Sequence, residues 1–203
     1  MMATTHVLAG ICLGLVTAAV APVETGTAVL AAALGGLFPD IDLLWDHRRT
    51  LHFPAWGSIA ALGATAVAVV VPTTATVAVA VFLASMALHA VSDVIGGGLS
   101  LRPWIPSSDR GVYEHLRGRW HPPRRWIRYD GSPEDAFLAV AFGLPAYVAL
   151  TGIARWAVVG LLAVSVIYAA GRRSLVDGGE VLVRRLPAGV LRLIPETLIE
   201  DLR

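Results

Sequence analysis

Six apolar runs organise this chain, and its histidines and aspartates gather at the same ends of them. The runs cover roughly residues 7–21, 27–38, 54–71, 75–94, 135–150 and 154–170. A helix that crosses the hydrocarbon core of a bilayer needs about 20 such residues, with a range of about 17–25. The third and fourth runs reach that length, and the first, fifth and sixth fall slightly short. The second is clearly short. It is either a half-span buried among its neighbours or a longer segment that continues through Pro39. With 56% hydrophobic and only 15% charged residues, the chain departs from the roughly 45–50% apolar and 25% charged make-up of soluble domains. A solvent other than water accounts for the excess.

The arginines set an orientation. All sixteen basic residues are Arg, and none lies in the connections 22–26 or 72–74. Only Arg155 lies between the fifth and sixth runs, while the rest fall at Arg48 and Arg49, in the 102–128 segment, or from Arg172 onward. By the positive-inside rule those segments are cytoplasmic. Trp45, Trp56 and Trp104 then mark one interface and Trp156 the other. Residues 1–6 carry no Arg or Lys, so the first run lacks the charged start of a signal peptide and reads as retained. The expected fold is therefore all-α: a polytopic membrane helical bundle of about six hydrophobic segments in three hairpins. It is multi-pass in the cell (inner or plasma) membrane, with both termini cytoplasmic.

Two segments look water-facing. Residues 96–134 hold seven Arg together with Trp104, Trp120 and Trp126 and read as an ordered cytoplasmic loop within a membrane-embedded domain, 1–171. The tail, 172–203, alternates Val, Leu and Ile with Arg and Glu. It is either an amphipathic segment lying on the anionic inner leaflet or a helix that binds a protein partner. No specific nucleic-acid binding is expected. The single cysteine, Cys12, sits in an apolar run and excludes both a disulfide framework and a cysteine-rich zinc site.

Under this topology His6, Asp40, Asp42, His52, His89 and Asp93 all fall at one membrane face. His89 and Asp93 are four residues apart, so on a helix they share a face with Cβ atoms about 5–6 Å apart. Ionisable residues in a membrane segment are expensive and usually functional. Pro39 disfavours helix at Phe38, so the chain is expected to turn there and present Asp40 and Asp42. His52, just before the third run, is the better ligand candidate; His47, among loop charges, reads as solvated. Three carboxylates packed together would repel one another. A divalent metal relieves that, and mixed His/carboxylate ligation suits zinc or manganese. The rival reading is an ion-pair network in which Arg48 and Arg49 neutralise the acids.

The early Thr5-His6, the turn Gly35-Gly36-Leu37-Phe38-Pro39-Asp40-Ile41-Asp42, the segment Arg48-Arg49-Thr50-Leu51-His52 and the later His89-Ala90-Val91-Ser92-Asp93 resemble the motifs of the LexA-binding, inner-membrane-associated metal-dependent hydrolases. The likeness covers roughly the first half of the chain, and Phe53 stands where that family commonly has Ser. The family is in turn distantly similar to zinc-dependent phospholipase C and related single-strand nucleases. The resemblance implies a site of one or two divalent ions, zinc or manganese, held by His6, one or both of Asp40 and Asp42, His52, His89 and Asp93. A further His-Glu cluster of those enzymes has no clear counterpart: His115 and His121 follow Asp93, but no Glu lies three or four residues beyond His121. The expected activity is hydrolysis of phosphoesters, lipids included, at the cytoplasmic membrane face. In it Arg48 and Arg49 bind the substrate phosphate as bidentate forks. Asp40 or Asp42, whichever does not ligate, serves as catalytic base. The alternatives are a metal-handling or transport protein and a non-catalytic membrane scaffold. The outer halves of the runs are Ala, Val and Gly, so no transport pathway is evident.

Overall fold

A computed structural model describes residues 1–100, 102–105, 107–191 and 193–194, and it is mostly helical. Helix α1 (Ala3–Val20) turns through 21–24 into α2 (Thr25–Leu37), which passes directly into a 3-10 segment, Phe38–Leu44. After the 45–53 loop come α3 (Pro54–Val70), α4 (Thr74–Ser92) and a 3-10 turn, Asp93–Ile95. The 96–132 segment carries a small antiparallel hairpin, β1 (Val112–Glu114) with β2 (Arg119–His121), before α5 (Pro133–Ala149) and α6 (Gly152–Arg185). A single helical turn, Ala188–Leu191, forms α7. The hairpin is the one departure from an all-α fold among the described residues.

Local chemistry explains the boundaries. Pro54 opens α3 and Pro133 opens α5 at the first helical position, where a missing N–H costs nothing. Thr73 caps α4 in a reciprocal pair with Thr76, and Ser132 caps α5 by accepting from the amide of Asp135. Pro39 does not end the second run. The chain tightens there into 3-10 helix, so 25–44 is a single apolar segment of 20 residues rather than a half-span.

Four segments are long and apolar enough to cross a membrane: Ala3–Val20, Thr25–Leu44, Thr74–Ile95 and Gly152–Arg185. Helices α3 and α5, at 17 residues each, are shorter than that. The sixth run is longer than its hydropathy suggests. Helix α6 continues without a break through residues 171–172 for 34 residues, about 51 Å. Arg102 holds its far half, lying 2.8 Å from Glu180 and 3.0 Å from Asp177. Residues 192 and 195–203 of the expected amphipathic tail lie outside the described residues.

Neighbour packing runs α3–α4–α2–α1–α5–α6. Leu8 and Ile11 of α1, Val29 of α2, Ala139 and Ala146 of α5 and Val158 of α6 form the main buried cluster. Outward side chains are apolar as well: Leu62, Val69, Ile153 and Ile167 are each more than two-thirds exposed. A soluble monomer rarely shows so continuous an apolar exterior, which fits lipid as the outer solvent. Glycines set the closest approaches. A Cβ on Gly36 would lie 2.6 Å from the carbonyl oxygen of His6, and one on Gly35 would strike the carbonyl of Phe82. Helix α2 is thereby drawn against both α1 and α4. The tight connections 21–24, 71–73 and 150–151 link the helices in hairpins, and the six acidic and histidine residues of interest all belong to the opposite helix ends.

Candidate metal centre

The end of α2, the start of α3 and the end of α4 meet at a buried group of four side chains. Asp40, His52, His89 and Asp93 each offer one ligand atom, and these atoms all lie within 4.8 Å of one another. His52, His89 and Asp93 are almost wholly buried, and Asp40, 11% exposed, is the member that lines the adjoining cleft.

Both imidazoles are fixed in one tautomer. His89 Nδ1 lies 2.6 Å from the carbonyl oxygen of Gly36, which can only accept, so Nδ1 carries the proton. His52 Nδ1 lies 2.9 Å from Oδ2 of Asp42. That carboxylate also accepts from the Leu51 amide at 3.1 Å and from His47 Nδ1 at 2.8 Å. With three donors around it Asp42 acts as an acceptor, and His52 is likewise protonated at Nδ1. Both rings therefore turn an Nε2 lone pair inward. Each of these Nε2 atoms is buried and without a hydrogen-bond partner.

The spacing of the donors suits a small cation. His52 Nε2 is 3.4 Å from Asp93 Oδ2, His89 Nε2 is 3.6 Å from the same oxygen, and His89 Nε2 is 3.4 Å from Asp40 Oδ1. Ligands at about 2.0–2.2 Å from a tetrahedral centre stand about 3.3–3.6 Å apart. Two lone pairs facing a carboxylate oxygen repel unless a proton or a metal ion stands between them. These four residues could hold a metal ion.

The other residues singled out in the sequence lie one step away. His6 is buried, stacked on His89 with ring centroids 3.6 Å apart, and its Nε2 is 3.1 Å from Asp93 Oδ1. The Met1 amine is 2.8 Å from that same oxygen. Asp42 is fully buried and stands behind His52, both of its oxygens engaged by N–H donors. It is not among the four side chains whose ligand atoms converge. Thr5, the partner of His6 in the sequence pattern, donates to Asp135 at 2.7 Å and ties the start of α1 to α5.

The two arginines separate. Arg48 is buried, its Nη1 donating to the Gly97 carbonyl at 2.6 Å and its Nε 3.4 Å from Asp93 Oδ2. Its backbone is left-handed, with φ of 59°, a conformation that costs a non-glycine residue about 1–3 kcal/mol and clusters at functional sites. Arg49 is half-exposed, 3.3 Å from Asp46, with its guanidinium over the Tyr113 ring. Of the pair, Arg49 is the one at the surface, while Arg48 reaches the cleft wall from a buried position.

Two contributors had little or no sequence signal. The Gly36 carbonyl is a backbone group and leaves no residue-type signature. His47 reads as a solvated loop residue, yet it is only part-exposed, shares Asp42 with His52, and lines the adjoining cleft. Its spacing of five from Asp42 was the available clue. His115 instead donates to the Arg49 carbonyl at 2.7 Å, and His121 lies 3.9 Å from Glu114 across the β-hairpin. Neither joins the group.

Outside the membrane segments, His52 is the one member of the group with a resolved electrostatic bias. Burial lowers the pKa of its imidazole, but the neighbouring carboxylates of Asp42 and Asp93 outweigh this and raise it above its ordinary 6.5. Beside the group a cleft of about 920 Å³ opens, with Asp40, His47, Arg48 and Arg49 in its wall. No protein-family model matches the chain, and comparison with curated proteins and with solved structures finds no similar one.

Proposed function

We propose that the protein is a membrane-bound, metal-dependent hydrolase acting on phosphoesters at the cytoplasmic face. The observation that carries this reading is the pair of tautomer-locked imidazoles, His52 and His89. Their unpartnered Nε2 atoms converge with Asp40 and Asp93 at the spacing of metal ligands, beside an open cleft. Asp40, His52, His89 and Asp93 would hold the ion, zinc on the chemistry of the donor set, with manganese the alternative. Bound there, such an ion lowers the pKa of a coordinated water toward about 7 and polarises a phosphoryl oxygen.

The chain's own groups do the rest. Asp42 and the Gly36 carbonyl hold the two imidazoles in register, a support that commonly changes metal affinity 10–100-fold. His6 braces Asp93 from the side away from His52. Asp40, at the cleft wall, is the carboxylate positioned to meet substrate. Arg49 supplies a cation at the rim.

In this reading all six hydrophobic segments form the bundle, α3 and α5 completing the hairpins. The arginine-rich end faces the cytoplasm, as the positive-inside rule requires. Membrane lipids surround the helices, and the tail lies on the inner leaflet or, alternatively, binds a protein partner.

The burial of Arg48 against Asp93 favours a second reading, a metal-free ion-pair network within a scaffold. Elemental analysis of detergent-purified protein separates the two. Stoichiometric metal in the wild type, its loss in Asp93→Ala and metal-dependent phosphoester hydrolysis are expected of the enzyme. Equal, trace metal in both proteins would leave the network.

A further inference from the structure

Trp126 and Phe137 are 66% and 71% exposed, and they line one groove of about 410 Å³ together with Ile127, Pro133 and Leu138. None of these residues lines the cleft beside the His/Asp group. Trp126 is held at a fixed depth, because the backbone around it is pinned to the end of α4. The Arg124 amide donates to the Val94 carbonyl at 2.9 Å, and the Ile127 amide to the Ile95 carbonyl at 3.1 Å. Val94 and Ile95 close the membrane-long segment Thr74–Ile95, so Trp126 stands at the end of an apolar span. Phe137 comes from the second turn of α5, which starts at Pro133. The groove therefore lies where the apolar helices give way to the arginine-rich end, the level at which tryptophan is enriched in membrane proteins.

The charge around this groove is not balanced. Glu134 is its one acid, and Arg128 is paired with it, Nε to Oε1 at 2.9 Å. Arg124 is exposed, lies over the Trp126 ring at 5.7 Å from the centroid, and has no acidic partner among the described residues. With the acid neutralised, a guanidinium is left over. A guanidinium on an indole face keeps its in-plane N–H donors for an oxyanion. A second copy of this chain is the poorer occupant. In a two-fold contact the same patch meets itself, which would bring two Arg124 side chains into one interface with the neighbouring acid already taken.

We propose that this groove binds an anionic phospholipid of the surrounding bilayer, with the lipid phosphate on Arg124 and an acyl chain between Trp126 and Phe137. The lipid is a bound partner and not a substrate, so the assignment goes beyond the hydrolase reading and does not depend on it. A zwitterionic phospholipid fills the apolar seat equally well but brings no net charge to Arg124. The preference for an anionic head is therefore the quantity that reads the site.

The test uses the full chain in dodecyl maltoside with two probes, dioctanoylphosphatidylglycerol and dioctanoylphosphatidylcholine. Affinity is measured by thermophoresis, bound lipid is counted by native mass spectrometry, and circular dichroism confirms equal helix content in every variant. The anionic lipid is expected to bind about fivefold more tightly, the contribution of one arginine at an anionic head. Arg124→Gln should abolish that preference while leaving phosphatidylcholine binding unchanged. Trp126→Ala, at an exposed ring, should weaken both lipids and keep the preference. Arg117→Gln, at the exposed tip of the β-hairpin, should change neither. Equal affinity for the two lipids in the wild type, or a preference that survives Arg124→Gln, would overturn the site. An equal effect of Arg117→Gln would mean that the lipid senses overall charge, and would overturn it as well. So would a dimer in the mass spectra that Phe137→Ala disperses, since the patch would then belong to a second copy.

Discussion

Asp42 is fully buried, and its Oδ2 lies 2.9 Å from Nδ1 of His52. The pair decides which imidazole nitrogen faces Asp93. An amide in place of the carboxylate offers a single acceptor oxygen, while His47, His52 and the Leu51 amide all donate to this residue. Asp42→Asn therefore leaves at least one buried donor unmet and loosens the tautomer of His52. Metal affinity should fall about 10–100-fold with the helical content unchanged. A competition titration against a chromophoric chelator, with circular dichroism on the same samples, checks this. Unaltered affinity would remove Asp42 from the support of the site.

Gly36 serves two purposes, and they predict a contrast within one helix. A Cβ there would sit 2.6 Å from the His6 carbonyl, and the Gly36 carbonyl itself fixes His89. Gly36→Ala should cost about 1–3 kcal/mol through overpacking and also weaken metal binding. Gly26, at the other end of α2, has open space where its Cβ would go. Gly26→Ala should be neutral or stabilise by up to about 1 kcal/mol, since alanine is the better helix former. Thermal unfolding of the two variants in detergent compares them directly; equal losses would mean that helix approach at Gly36 is not limiting.

Much of this arrangement is legible before any coordinates. The end-on placement of Asp40, His52, His89 and Asp93 follows from counting hairpins, because a run that goes out and returns must bring its polar ends to one side. The His89–Asp93 spacing puts both on one helical face. What the sequence hides is the division of labour. Asp40 and Asp42 are alternating carboxylates on one turn, and nothing in their order says that the 3-10 geometry sends one toward His89 and the other behind His52. Arg48 looks like its neighbour Arg49, yet a left-handed backbone turns it inward. The length of α6 is obscured because its far half is charged, and its pairing with Arg102 is a contact across 78 residues.

The raised pKa of His52 gives opposite pH dependences with and without metal. In the metal-free protein, a pKa raised by folding contributes stability that is fully present below the ordinary 6.5 and is lost as pH rises through the folded value. Metal binding must expel that proton, so affinity should climb with pH across the same window above 6.5. Unfolding curves in chelator and in excess zinc, taken at pH 6 to 9, should therefore diverge with increasing pH, the zinc form gaining relative to the chelated one. Asp42→Asn, by weakening the bond that raises His52, should bring the window down toward the ordinary value. Parallel curves for the two forms would mean that no proton is displaced from the site.

Arg48 would compete with a bound ion for Asp93, which makes its removal informative. Its guanidinium is buried, with Nε 3.4 Å from Asp93 Oδ2. Taking away one partner of a buried charge pair typically costs about 3–5 kcal/mol, because the other charge is left uncompensated. A bound cation beside Asp93 would offset that loss, while a chelated site could not. Arg48→Met should accordingly lower the unfolding temperature strongly in chelator and only modestly in excess zinc, so that stabilisation by metal is larger in the variant than in the wild type. Arg49→Met, at a half-exposed pair on the rim, is the control and should shift both conditions by less than about 1 kcal/mol. If zinc rescues Arg48→Met no better than it stabilises the wild type, Asp93 is not a ligand, and the arginine is the cation the site was built around.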